Sequence, residues 1–403
     1  MKYTANEVAQ YVEQEDVKFI RLAFCDVFGR QKNLAILPSE LERAFSFGIP
    51  FDASAIPGFG GEVRSDLILH PDPATLSSLP WHPENGRVVR MFCSITHPDG
   101  SPFEGDCRTL LQRAAEDAEK AGVSFAFGAE MEFYLFKTDE SGEPTKIPYD
   151  RAHYMDIAPE DKGEIVRREI CLTLSEMGIR PECAHHEEGP GQNEIDFRYS
   201  DPLSAADNAI TFRSVVKTIV ARNGLAAEFS PKPLPDEAGN GMHVNFSVRS
   251  QDGQDDLPFA IAGIMSRIRE MTLFLNPVEE SYRRLGGNKA PGYITWSSEN
   301  RSQLIRIPAA PQEHYRAELR SPDPVANPYL AFTLLIRAGL YGIENRLPLP
   351  ERADVNLFTA DEETLRRYER LPASLREAAA AARSSEFIRA HVPELILSAY
   401  VNR

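Results

Sequence analysis

Acidic, imidazole and guanidinium side chains recur at alternate positions of several apolar stretches. Val123 to Phe136 reads VSFAFGAEMEFYLF. Its odd positions are all apolar, and Glu130 and Glu132 fall on the other parity. Alternation of period two puts both carboxylates on one face of a strand, opposite the core face. A second cluster, His185 to Glu194, contains Gly189-Pro190-Gly191. That is hairpin-loop chemistry, and it can bring Glu187 and Glu194 together on adjacent strands. In a third, Met242, Val244, Phe246 and Val248 share one face, leaving His243, Asn245 and Ser247 on the other. A fourth places Arg316, Glu318 and Arg320 on one face, preceded by Arg301 and Arg306.

Taken singly, each cluster is equally a solvated strand face, and a single strand histidine is more often structural than a ligand. Together they repeat one design, apolar below and charged above. If the strands share a sheet, the charged faces form a common floor. Like charges crowded together disfavour joint ionisation, and a divalent cation offsets that cost. A thiol-free, carboxylate-rich donor set suits Mg²⁺ or Mn²⁺. Arginines beside it suit phosphate and carboxylate groups. A metal floor with an arginine wall fits phosphoryl transfer from ATP.

The elements that must position these groups are legible from pattern. Strands are expected at Val17–Phe24, Asn33–Leu37 and Arg87–Ile95, with a short helix from Glu40 to Phe47 started by a Ser39/Glu42 capping box. A Pro- and Gly-punctuated loop spans Pro50 to Pro73. A border near Asp99-Gly100 divides the chain into 1–100 and 101–403. Helices are expected at Arg108–Ala121, Lys162–Met177, Ala205–Asn223, Phe259–Leu275, Ala326–Ile343 and Arg376–Arg383.

Composition narrows the function classes. The 403 residues carry 44 Lys+Arg against 60 Asp+Glu, a net charge of −16, so no nucleic-acid footprint is expected. The apolar run Pro328–Ile343 is too short to span a bilayer. No signal peptide is visible at MKYTANEVAQ, and the five cysteines read as buried, reduced thiols of a cytoplasmic protein.

The stretches GAEMEFYLF (128–136), HHEEGPGQNEIDF (185–197), AGNGMHV (238–244), SYRRL (281–285), NRSQLIRIP (300–308) and AELRSPDPVANPYLAF (317–332), in this order, resemble the glutamine synthetase family. FDASAIPGF (51–59) and AHYMDIAPEDKGE (152–164) are also similar to it. The resemblance implies an α+β fold: a small β-grasp-like N-terminal domain, then a large catalytic domain with a curved antiparallel sheet and flanking helices. It implies a homo-oligomeric ring, hexamer or dodecamer, in which the Asp52 loop reaches into a neighbouring site. The substrates would be glutamate, ATP and ammonia or an amine, with two or more Mg²⁺ or Mn²⁺. Glu132, Glu187 and Glu194 would hold one metal, and Glu130, His243 and Glu318 the other. Arg284, Gly239, Arg301 and Tyr154 would bind substrate. Asn245, Ser247 and Arg306 would contact ATP, and Asp52, Arg306 and Arg320 would take part in catalysis. ATP would phosphorylate the γ-carboxylate of glutamate, and an amine would then displace the phosphate.

Departures from the family pattern gather at the amine end. A flap Glu before Ala-Pro is Lys289, and the second Ser of an Asp-Gly-Ser-Ser loop is Ala55. A cation about 4 Å from a lysine is repelled by roughly 4 kcal/mol at an effective dielectric near 20. Two accounts stand: Lys289 points to solvent, or it receives an acceptor bearing both amine and carboxylate. A ligase for a larger amine, a non-catalytic glutamate- or nucleotide-binding regulator and a kinase-like use of the fold are the rival functions. Phe358 lies where some members carry a modified Tyr, and the chain stops early at Arg403, so weaker ring stacking is expected.

Overall fold

A computed structural model describes residues 3–61, 63–81, 86–287, 289–309 and 315–403. The chain opens with helix α1 (Ala5–Gln14), started by a Thr4/Glu7 capping box. Six strands follow: β1 (Val17–Cys25), β2 (Gln31–Ile36), β3 (Ile49–Asp52), β4 (Asp66–Pro71), β5 (Ser77–Leu79) and β6 (Arg87–Thr96). They pair in the order β2-β1-β6-β4-β3, with β5 also on β6. Strands β1 and β6 run parallel, and the other pairings are antiparallel. Helix α2 (Leu41–Phe47) lies close to the expected span, but its start differs. A 3-10 turn over Pro38–Glu40 precedes it, and no side chain caps it. Pro38 fixes the entry by its locked φ, so the Ser39/Glu42 box is not used.

Among the described residues, the second sheet has nine strands. These are β7 (Val123–Thr138), β8 (Pro144–Pro148), β9 (Pro181–His186), β10 (Gln192–Phe197), β11 (Leu225–Glu228), β12 (Met242–Ser250), β13 (Trp296–Ser298), β14 (Ile305–Ile307) and β15 (Ala317–Leu319). The order is β13-β14-β15-β12-β7-β10-β9, with β8 and β11 also on β7. Every pairing is antiparallel except β13 with β14 at the edge. The curved sheet is backed by α3 (Cys107–Lys120), α4 (Glu164–Glu176), α5 (Pro202–Arg222), α6 (Leu257–Leu275) and α8 (Pro328–Glu344). Helix α7 (Glu279–Arg284) follows α6 and carries Arg284. Helices α9 (Glu362–Leu365), α10 (Leu375–Ser384), α11 (Glu386–His391) and α12 (Glu394–Val401) complete the chain.

The odd residues of β7 behave as their alternation implies: Phe127, Met131, Phe133 and Leu135 are buried, and Phe127 stacks on Phe332 of α8 with ring centroids 4.6 Å apart. Buried polar links fasten the first sheet to the second body. Arg108 of α3 bridges Asp72 (2.8 Å) and Asp207 (2.9 Å). Asn327 caps α8 through Tyr329 N and donates to the Val27 carbonyl at 2.9 Å. Among the described residues, no helix is long and apolar enough to cross a membrane. The thiol expectation needs correction: Cys93 and Cys107 are buried, but Cys183 is exposed and donates to Asp196 Oδ2 at 2.6 Å. Strand β9 is an edge strand in which Glu182, Cys183 and Ala184 are exposed in succession, so neither of its faces is fully covered.

Helices α6 and α8 cross where glycines meet. A Cβ on Gly263 would press on Ala338 O and lie 2.7 Å from Gly342 N. Gly263→Ala is therefore expected to destabilise the fold by about 1–3 kcal/mol through overpacking. A lowered urea midpoint checks this, and an unchanged midpoint would refute the tight crossing.

Candidate active site

The sheet register turns the sequence clusters into rows across adjacent strands. In one row Arg306, Glu318, Asn245 and Gly128 are successive neighbours on β14, β15, β12 and β7. In the next, His243, Glu130, Asp196 and Cys183 follow one another on β12, β7, β10 and β9. In the third, Glu132, Glu194 and His185 do so on β7, β10 and β9. Side chains directly opposite in antiparallel strands have Cβ atoms about 4.5–5.5 Å apart. Charged groups spread over some 190 residues of sequence thus become neighbours on one face.

These rows line a cavity of about 310 Å³. Among the described residues it holds seven carboxylates, from Glu130, Glu132, Glu187, Glu188, Glu194, Asp196 and Glu318. Five cations face them: Arg284, Lys289, Arg301, Arg306 and Arg320. Tyr154 and Gly239 also line it, and the Tyr154 and His185 rings meet edge to face at 5.3 Å. A second cavity of about 820 Å³ shares Glu130 and Asp196 with the first and includes Asn245, Ser247, Tyr315 and Arg316.

Three ligand-type groups converge at Glu130, His243 and Glu318, with one donor atom from each within 4.8 Å of the others. His243 Nδ1 lies 3.4 Å from Glu130 and 3.7 Å from Glu318. Burial, helped by the Arg320 charge, holds the His243 imidazole well below its ordinary pKa, so it is neutral and has a lone pair to offer. Both oxygens of Glu318 accept from arginines, Arg306 Nε and Arg320 Nη1, each at 2.5 Å.

The other anticipated set is arranged differently. His185, Glu187 and Glu194 converge within the same limit, as do Glu130, Glu194 and Asp196. Glu132 is turned to Gly241 N (2.8 Å) and Gln192 Nε2 (3.2 Å), with His243 Nε2 at 3.9 Å. Glu187 sits just beyond β9, its amide bonded to the Gln192 carbonyl at 2.8 Å. Sequence reasoning passed over Asp196, His185 and Gln192. The signal for Asp196 was present: it continues the alternation that sets Glu194 on the charged face.

The floor is electrostatically loaded. Burial first, and then the neighbouring Glu187 charge, push Glu132 up to about 8. Burial and the Glu132 charge raise Glu194 well above the usual carboxylate range. Burial and Glu130 push Asp196 up to about 6. Asp196 Oδ1 and Arg320 Nε are buried without a hydrogen-bond partner among the described residues. Raised carboxyls, a neutral imidazole and orphaned polar atoms fit a hard divalent cation and an anionic ligand.

Close backbone approach makes room for the arginines. A Cβ on Gly241 would lie 2.6 Å from His243 Nε2 and 2.8 Å from Arg284 Nη2. Arg284 is buried and donates to the carbonyls of Ser321 (2.7 Å) and Arg320 (3.2 Å). Lys289 is paired with the Glu188 carboxylate at the cavity. The Lys289 side chain is 59% exposed, in keeping with the solvent-facing account, but neither account named Glu188 as its partner; Asn288 beside it lies outside the described residues. Asp52 and Ala55 are exposed and do not line the cavity of their own chain. The Asp52 carboxylate accepts from Ser54 N (2.9 Å) and Ser54 Oγ (3.0 Å), which draws it below its ordinary pKa.

A β-grasp unit joined to a curved sheet with an acid-and-arginine floor describes an enzyme class that handles metal and phosphate. Comparison with known proteins agrees. A family model described as the glutamine synthetase beta-Grasp domain matches residues 16–98, and one described as the glutamine synthetase catalytic domain matches 104–403. The chain is 45% identical to a glutamine synthetase of Methanosarcina mazei, covering 99% of this chain and 92% of that one. It is 42% identical to one of Clostridium saccharobutylicum, covering 99% and 94%. A solved GmaS–ADP complex superposes with a TM-score of 0.88 at 27% identity, over 98% of this chain and 94% of that one. The chain belongs to the glutamine synthetase family.

Behind Glu187 lies a buried support. His186 Nε2 meets Asp150 Oδ1 at 2.9 Å, and His186 Nδ1 meets the Glu187 carbonyl at 2.6 Å. Asp150 also accepts from Gly191 N and Lys162 N, both at 3.0 Å. Burial opposes both charges. The His186 hydrogen bond and charge still draw Asp150 down, and those of Asp150 lift His186. The depressed acid stabilises above its unfolded pKa, and the raised base below its own. The pair therefore contributes fully from about pH 4 to about pH 6.5. Asp150→Asn should cost about 3–5 kcal/mol near pH 6, with the difference from wild type narrowing once His186 deprotonates. Urea unfolding at the two pH values checks this, and a pH-independent difference would rule it out.

Proposed function

We propose that the protein is an ATP-dependent glutamate–ammonia ligase that forms glutamine. The observation that carries this reading is the convergence of Glu130, His243 and Glu318 beneath Arg306 and Arg320, in a chain of the glutamine synthetase family. Glu130, His243 and Glu318 would hold one Mg²⁺ or Mn²⁺. Glu187 and Glu194, with Glu132 or His185, would hold another. Such cations neutralise the phosphates and lower the cost of charge on the transferring group.

The chain's own residues do the rest. Asn245 and Ser247, in the larger cavity, take the nucleotide beside Gly128, where Tyr199 borders the sheet. Arg284, beside Gly239, and Arg301 take the carboxylates of glutamate. Arg306 and Arg320 lie where the γ-phosphoryl group passes to the γ-carboxylate, and they stabilise its charge. An amine then attacks the γ-glutamyl phosphate and releases phosphate. Glu187 and Tyr154 are the candidate amine-side groups within this chain. Asp52 would act from a neighbouring copy in a homo-oligomeric ring, hexamer or dodecamer, a reading supported by its exposure and its absence from its own cavity.

With Mg²⁺, ATP and glutamate, adding ammonium should release ADP and yield glutamine, confirmed by mass. ADP release only with a larger amine, or a stable phosphorylated product without amine, would overturn the reading. Glu318→Gln should lower kcat by about 10²–10³-fold, because one metal ligand and the partner of both arginines weaken together.

Mn²⁺ titration gives a second check. Glu132 holds its proton from its ordinary 4.5 up to about 8. Cation binding should therefore tighten as pH rises through that interval and release protons. Affinity that is flat across the interval would argue against ligation by this group.

A further inference from the structure

The Gly286–Pro291 segment carries a lysine where the family pattern has an acid, and this reversal has a counterpart elsewhere. Lys289 adopts a left-handed backbone with φ 58°. Its ammonium reaches across to the Glu188 carboxylate, 101 residues earlier in the chain. Glu188 opens the Gly189-Pro190-Gly191 turn, and its amide holds Glu187 Oε2 at 2.9 Å. The two charged groups border the same cavity as Glu187 and Tyr154. On the other side, the Lys289 carbonyl faces Arg320 Nη2 at 3.5 Å, and Ala290 is buried.

Ammonium enters the cavity as a cation, and an unpaired lysine at the border would repel it. The pair removes that repulsion without restoring an acid to the loop. We propose that Glu188 is an acceptor-specificity residue: by holding Lys289 it cancels that lysine's charge at the border where the cationic acceptor arrives beside Glu187. This rests on the ligase reading above. Its action falls mainly on the entering amine, because glutamate and nucleotide already meet four arginines, beside which one added charge is a small change. The Glu188 contact with Glu187 is made by its main chain, so Glu188→Gln keeps that support while removing the countercharge.

Steady-state kinetics of the intact enzyme tests this with Glu188→Gln, Lys289→Met and the double variant. Glu188→Gln should raise KM for ammonium about three- to tenfold, the range of a partly exposed charge, while KM for glutamate and ATP stays within about twofold. Added salt should shrink the effect. The double variant should return KM for ammonium to within about twofold of wild type, since no uncompensated charge remains. The proposal is overturned if Glu188→Gln leaves KM for ammonium unchanged, raises all three KM values alike, or is not rescued by Lys289→Met. Wild-type glutamine formation tests the ligase reading separately, so failure of the one is not mistaken for failure of the other.

Discussion

Crowded negative charge is the constraint around which this structure is built. Seven carboxylates share one cavity with five cations, and several of those acids are buried. Buried charges without partners cost several kcal/mol each. A soft scaffold would relieve the strain by letting the acids swing out to water. Here they stand on paired strands whose other face is filled by Phe127, Met131, Phe133 and Leu135, so the floor can move only if the core does. The raised carboxyls express the residual cost in protons, and a divalent cation exchanges for those protons without rearranging the sheet.

Register, more than composition, gives the cavity its chemistry. Glu132 opposite Glu194, and Glu130 between Asp196 and His243, are adjacent rows two residues apart on β7. A slip of one residue would send every acid into the core. The buried Asp150–His186 support and the Gly-Pro-Gly turn hold the hairpin at this register. Glu318 carries the same logic to the other side, since both its oxygens are shared between guanidinium groups that need an anion when it is engaged elsewhere.

The alternation of apolar and charged residues made both faces of β7, β12 and β15 legible from sequence, because strand geometry is local and periodic. The long helices α3 to α6 and α8 were legible for the same reason, to within a few residues. Convergence was not, since no local pattern states which strands are neighbours. It came from family resemblance, and the register then supplied its geometry. His185 and Gln192 were missed because their roles depend on the opposing strand, whereas Asp196 was marked by alternation but given no role. The Ser39/Glu42 box was misread because Pro38 changes the entry to α2, a local competition that the four-residue motif does not encode. Lys289 was read in isolation because its partner is 101 residues away.

The two units differ in what they deliver. The first sheet is pinned to the catalytic body through Arg108, Asn327 and Arg213, whose partners Asp72, Val27 and Gly29 belong to it. Such buried polar seams resist sliding, because movement leaves donors and acceptors unpaired. Asp52, at the end of β3, is therefore held where the seam puts it, with its carboxylate tied to Ser54 and facing solvent. A group so fixed cannot serve its own cavity by a swing of the domain. On the reading proposed above, the cavity it acts on is brought to it by another copy of the same chain. On that reading, the rigidity that protects the charged floor is also what ties completion of the site to assembly.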